Sequence, residues 1–281
     1  MIFKSPIEYL KDLIKDMVDG FGNAAFDWLK VFLFQPTDFS KYPYVEELYN
    51  IILVVSVSLG GVFFAYNLFK ILLGTLGGYN QRSISEVLVK TVLGGFFSVT
   101  APFILTKVLL PLNNAIVQIF LDKGVGTDAL AKFILMPGTA SFAIAICVLV
   151  MLVLFLILTF QSMRRVAELL FLLAISPLAA WSMVNEDMNL WGIWWREVIC
   201  TVFTQSFHVM MIWLALNQIG DANSVSEFIL GWVFIGFTLF VPNMLRKYLY
   251  STGSGRTVMN IAGGAGKMAI YKMAARKLVT A

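Results

Sequence analysis

Five long apolar runs decide what this chain can fold into. They cover about residues 46–75, 87–111, 139–163, 197–219 and 225–248. Each reaches or exceeds the ~20 residues that an α-helix needs to cross ~30 Å of hydrocarbon. A bilayer offers no water to a free backbone group, so only helices and closed barrels cross it. These runs are continuous rather than alternating, which makes them helices and not barrel strands. Composition agrees, with 59% of the 281 residues hydrophobic and 14% charged, against roughly 25% charged in a soluble chain. The sequence predicts an all-α polytopic membrane protein in three parts. Residues 1–45 form an amphipathic, interfacial segment, residues 46–250 the transmembrane helical domain, and residues 251–281 a basic tail.

The first part begins with helix-start chemistry. Ser5 can cap, Pro6 suits the first helical position and Glu8 can reach back. Ile7, Leu10, Ile14, Met17, Val18 and Phe21 then recur on one face, while Glu8, Lys11, Asp12, Lys15, Asp16 and Asp19 fill the other. This is an interfacial helix. Its polar strip is anionic, so a protein surface suits it better than anionic lipid.

Charge sets sidedness. The tail carries Arg256, Lys267, Lys272, Arg276 and Lys277 with no carboxylate, whereas the loop GDANSVSE at 220–227 has no Lys or Arg. By the positive-inside tendency the tail is cytoplasmic and that loop lies outside. One segment decides the rest. In LLFLLAISPLAAWSMVNEDMNLWGIWWREV, residues 169–198, an apolar stretch meets Ser176 and Pro177 and then four tryptophans. If residues 166–183 span, the protein has six spans and Arg164 and Arg165 face outward. If the segment turns back at Pro177 as a re-entrant or broken hairpin, there are five spans. Lys70, Arg82, Lys90, Arg164, Arg165 and Arg196 are then all inside, with the N-terminus outside. The apolar stretch between Glu168 and Pro177 is too short to cross, so the five-span arrangement is favoured, with six spans as the alternative.

Polar residues inside apolar runs are the candidate functional positions, because hydrocarbon makes them costly unless they face other helices or a wet cavity. Thr201, Thr204, Gln205 and His208 fall on one helical face, reading either as helix-to-helix hydrogen bonding or as a pore-lining stripe. Glu168 has the spacing to pair with Arg164 and Arg165. Trp181, Trp191 and Trp194 read as an interfacial belt or as a packed elbow fixing the hairpin. IAGGAGKM at 261–268 mimics a phosphate-binding loop but has Ile261 where that loop needs Gly and Met268 where it needs Ser or Thr. Cys147 and Cys200 lie singly in apolar runs. No catalytic, cofactor or metal constellation stands out, so a non-enzymatic membrane component without a cofactor is expected.

From residue 139 onward the order of features resembles the TrbL-type polytopic subunit of type IV secretion and conjugation systems. A long apolar span, Arg164 and Arg165, LLAISPLAAW, a junction marked by Trp191 and Trp194, a polar-striped span with QSFH, and VPNMLRKYLYSTGSGR follow one another. The resemblance covers about half of the chain. It implies a non-catalytic inner-membrane component of the translocation channel, working as a homo-oligomeric ring with other channel subunits and ATPases. It also implies passing contact with a transferred DNA–protein substrate, and an N-terminus outside with a cytoplasmic C-terminus. The rival reading is a small-solute transporter or ion channel, which calls for two matching halves with broken helices.

Overall fold

The computed structural model describes residues 27–78, 84–125, 142–185, 188, 190–220 and 225–251, with positions 9, 10, 12, 13, 16, 20, 24 and 25. The amphipathic face at Ile7, Ile14, Met17, Val18 and Phe21, and the tail beyond Ser251, lie outside the described residues. A π-helical turn at Lys30–Phe34 leads into α1, Pro43–Leu76. Then come α2 (Ile84–Ile104), a π-turn at Leu105–Leu109 and α3 (Leu110–Asp122). The chain continues through α4 (Phe142–Trp181), α5 (Trp191–Gly220), α6 (Val225–Thr238) and α7 (Val241–Ser251). Among the described residues there is no strand.

Four helices are long and apolar enough to cross a membrane: α1, the α2–α3 rod Ile84–Asp122, α4 and α5. A fifth exists if α6 and α7, bent by 59°, count as one span.

The expected turn at Pro177 is not there. Residues 139–163 and 166–183, read as separate segments, belong to one helix of 40 residues, about 60 Å long at 1.5 Å per residue. Neither a re-entrant hairpin nor a sixth span forms at that point. Proline normally breaks a helix by leaving the carbonyl four residues back without its donor. Here the orphan is the Leu173 carbonyl, and the Ser176 hydroxyl donates to it at 2.8 Å. Pro102 in α2 is tolerated in the same way, because the Tyr49 hydroxyl donates to the Ser98 carbonyl at 3.0 Å. The reversal comes after Trp181, through a 3-10 turn at Ser182–Val184. The break in the last span falls instead at Leu239 and Phe240, just before Pro242.

Helices α4 and α5 run antiparallel. Arg165 reaches the Thr201 and Val202 carbonyls, and the Trp194 indole reaches the Leu172 carbonyl. Along this hairpin the core divides into two apolar tiers. The far tier gathers Leu33, Phe155, Leu158, Val209, Ile212 and Ile235. The tier nearer the α4–α5 turn gathers Ala101, Leu169, Leu172, Trp194, Val198 and Val202. On α3, α4 and α5 a group of polar residues falls between the tiers. Ser162, Arg165 and Glu168 separate Leu158 from Leu169, and Asn113 separates Leu110 from Val117. Thr204, Gln205 and Ser206 separate Val202 from Val209. A polar belt crosses the molecule at mid-height.

Helices α1 and α2 lean on the turn-side tier along a stripe of small residues. A Cβ on Gly60 would collide with the Trp181 indole, and Gly94 and Gly95 bring α2 up to the same ring. Asn67 fastens α1 by donating to the Val184 carbonyl at 3.0 Å. Close backbone approach is what helices without a hydrophobic drive between them use for association.

Candidate functional site: the polar belt

Gln205 is the hub. It is fully buried and uses both ends of its amide. Its Oε1 accepts from Asn113 Nδ2 at 2.9 Å and from the Thr37 hydroxyl at 3.3 Å. Its Nε2 donates to the Leu33 carbonyl at 2.6 Å and the Gln35 carbonyl at 3.1 Å. Asn113 in turn accepts from the Ser206 hydroxyl at 2.6 Å. The two carbonyls belong to the C-terminal end of the π-turn and to Gln35, which caps it, where the helix ends and leaves acceptors without intrahelical partners. One glutamine therefore ties the N-terminal segment, α3 and α5 together.

Arg165 adds α4 to this network. It is buried, and its guanidinium donates to the Thr201 carbonyl at 2.9 Å, the Val202 carbonyl at 3.2 Å and the Thr37 hydroxyl at 3.0 Å. No carboxylate pairs with it among the described residues. A buried charge is ordinarily paired, so this one leaves the belt with positive charge inside.

A second cluster lies beside the first. Arg164 Nε donates to Glu168 at 2.8 Å, and Arg246 of α7 donates to Glu168 at 3.2 Å and Glu197 at 3.0 Å. The Tyr250 hydroxyl donates to the other oxygen of Glu197 at 2.7 Å. Three elements are clamped by two carboxylates. A cavity of about 130 Å³ opens here, lined by Gln161, Arg164, Arg165, Glu168, Thr201 and Arg246 among others. A wider groove of about 760 Å³ borders Asp38, Glu46, Tyr49 and Lys107. In it the Ser40 hydroxyl and amide hold the Asp38 carboxyl below the usual carboxylate range.

Of the positions expected from sequence, Arg164 and Glu168 pair as their spacing implies, while Arg165 points the other way into the belt. Thr201, Thr204, Gln205 and His208 are all buried within the single chain, so the stripe faces this protein's own helices. The Thr204 hydroxyl donates back to the Cys200 carbonyl. The Thr201 hydroxyl and both His208 nitrogens have no partner. Trp191 stacks on Trp194 at 5.0 Å and on Trp195 at 6.1 Å, and touches Phe97 of α2 at 4.9 Å. With Trp194 buried and Trp181 against Gly60, these rings form a packed elbow. Pro177 is buried inside α4.

Sequence reasoning missed Thr37, Asn113, Ser206, Glu197, Arg246 and Tyr250. Asn113 had a visible signal, an amide in the middle of LLPLNNAIV. Thr37 and Tyr250 had none, since neither residue type is unusual near a helix end.

No curated protein and no solved structure matches the chain. A family model described as "Conjugal transfer protein TrbL" matches residues 7–277, nearly the whole length and well beyond the half that carried the resemblance. A helical protein with four or five membrane-length helices and this match belongs to the TrbL family of conjugal transfer proteins.

Proposed function

We propose that the chain is a non-catalytic scaffold subunit that builds the wall of a type IV secretion channel in the cytoplasmic membrane. Several copies form a ring, and the path for a DNA–protein substrate runs between copies rather than through one. The observation that carries this is where the polar groups lie. Gln205, Asn113, Arg165 and Ser206 are satisfied inside the chain, while only 11% of the most apolar stretch of α1 is buried. A single copy is thus a closed bundle with an uncovered apolar flank. The family implies further transfer-system subunits as partners, and on this reading the energising ATPases are among them.

On this reading the N-terminus is outside and the tail cytoplasmic, which agrees with α6 and α7 acting together as a fifth span. Native mass spectrometry of the full chain from nanodiscs, beside transfer frequency in a strain lacking it, tests the proposal. A defined multimer and loss of transfer in the deletion strain are expected. A strict monomer in both nanodiscs and mild detergent overturns the ring. For topology, Ser5→Cys should react with an impermeant maleimide from outside and Ser254→Cys should not.

A further inference from the structure

The cavity beside the arginine cluster is more than a gap in packing. Its lining includes three guanidiniums, Arg164, Arg165 and Arg246, against one carboxylate, Glu168. Both Glu168 oxygens are already engaged, one by Arg164 and one by Arg246. Each guanidinium has five N–H donors, and Arg164 commits one of them to Glu168. Two lining residues carry buried polar atoms with no partner: the Thr201 hydroxyl and Gln161 Oε1. Thr201 is 3% exposed. A buried hydroxyl that finds nothing costs about 1–3 kcal/mol, and here it borders a positively charged cavity.

Size and position narrow the ligand. A volume of about 130 Å³ is close to the ~150 Å³ that admits a benzene-sized molecule, enough for one phosphate group and not for an acyl chain. The cavity also lies in the belt. From Arg165 to Trp181 α4 runs ~24 Å, and from Phe142 to Arg165 ~35 Å, at 1.5 Å per residue. Each tier is therefore close to the ~30 Å of a bilayer's hydrocarbon, and both together are twice too long. The exposed apolar face of α1, with Val54, Val62 and Phe69, lies beside the turn-side tier, and with the hydrocarbon at that tier the belt falls at its edge, at the level of the headgroups.

We infer that this cavity binds a phosphate group, and that its source is the phosphodiester of an anionic lipid with a hydroxylated headgroup. The guanidiniums and the Thr201 hydroxyl donate to the phosphate oxygens. Gln161 Oε1 accepts from a headgroup hydroxyl. Anionic lipid would neutralise the unpaired charge at Arg165 and lock α7 onto α4 and α5.

The test uses the full chain in nanodiscs of phosphatidylcholine with graded phosphatidylglycerol, and native mass spectrometry to count retained lipid. Wild type should retain phosphatidylglycerol over phosphatidylcholine. Two variants keep the fold separate from the site: Arg164→Gln, at a largely exposed side chain, and Thr201→Val, which removes a hydroxyl that holds nothing inside the chain. Each should lower retention about tenfold, the size of a hydrogen bond to a charged group, with thermal stability in lipid-free detergent unchanged. Stabilisation of the detergent-solubilised protein by inorganic phosphate, without retained lipid, would assign the same chemistry to free phosphate. Equal retention of both lipids with no response to phosphate, or variants that match wild type, would overturn the site.

Discussion

The outer pair, α1 with α2, and the inner hairpin, α4 with α5, are both apolar enough to span, yet they are used in opposite ways. The most apolar stretch of α1 is 11% buried and that of the α2–α3 rod 22%, against 56% for α4 and 67% for α5. Hydropathy does not separate them. Polar residues do. The inner hairpin carries Arg165, Thr201, Gln205 and His208, and all of them are buried. The outer pair buries Ser56, Asn67 and Ser98 on one stripe, and the exposed Ser58 of α1 meets no other helix there but donates back to the Val54 carbonyl of its own. In hydrocarbon the inside-out rule of soluble proteins reverses, because lipid is as apolar as leucine and only polar or small surfaces gain by meeting protein. The least hydrophobic face of a span marks its core.

The largest effect that could break this contrast is Gln205→Leu. It strips the Asn113 amide, the Thr37 hydroxyl and the Leu33 and Gln35 carbonyls of their partner at once. At about 1–3 kcal/mol for each buried group left unsatisfied, with partial compensation in a membrane, a loss of about 3 kcal/mol is expected. Thermal unfolding in detergent measures it, against Ser58→Ala on the exposed side of α1, which should stay within ~0.5 kcal/mol. Equal losses from the two would remove the distinction between inner and outer helices.

Next comes the joint between the two regions. Gly60→Val places a branched side chain where the Trp181 indole lies. Overpacking of this kind costs about 1–3 kcal/mol, and it should act by levering α1 away from α4. A disulfide engineered between positions 67 and 184, adjacent in wild type, should form poorly in the variant. Adding Trp181→Ala should restore it, since the ring is what the valine meets. Failure of that rescue sinks the glycine-cleft account.

The prolines show why some of this was readable in the sequence and some was not. The helical class, the apolar runs, the Arg164–Glu168 pair and the single face shared by Thr201, Thr204, Gln205 and His208 all follow from local spacing and hydropathy, whereas whether that face meets other helices or a pore does not. The fate of each proline does not. Pro177 sits inside a continuous helix and Pro242 follows a 59° bend. The difference lies in what reaches the orphaned carbonyl. Ser176 supplies a hydroxyl beside Pro177, whereas Val241 offers none beside Pro242. Ser176 could have been weighed from the sequence. The other half could not, because the charged interruption at Arg164, Arg165 and Glu168 stays in the helix only with the Thr201 and Val202 carbonyls of α5 accepting from Arg165 and with Arg246 of α7 donating to Glu168. Those partners are 36 to 78 residues away along the chain.

A smaller effect separates α7 from the rest of the inner region. Arg246→Gln leaves Glu168 and Glu197 each short of a partner, but all three are partly exposed. Exposed pairs are worth about 0–1 kcal/mol, so the loss should stay near 1 kcal/mol. It should also be salt-dependent, because 1 M salt shortens the Debye length to about 3 Å. Wild type should lose stability in high salt and the variant should not. A salt response that survives in Arg246→Gln would show that the clamp lies elsewhere.

The smallest expected change within one copy is the most telling about the outer pair. Val54, Val62 and Phe69 are 68%, 61% and 60% exposed along α1. Lipid accepts any apolar shape, so Val54→Leu with Val62→Leu should leave the stability of a single copy within ~0.5 kcal/mol of wild type. A packed protein surface is less forgiving, at about 1–3 kcal/mol for added methylenes. If copies of this chain meet through α1, the double variant should unfold at the wild-type temperature in detergent while its nanodisc multimers shift to smaller species. An unchanged multimer would assign this flank to lipid and move the contact between copies to another face. A fall in the stability of the isolated copy would be the more damaging result, because it would mean that α1 is packed inside the protein after all and that the outer pair is not outer.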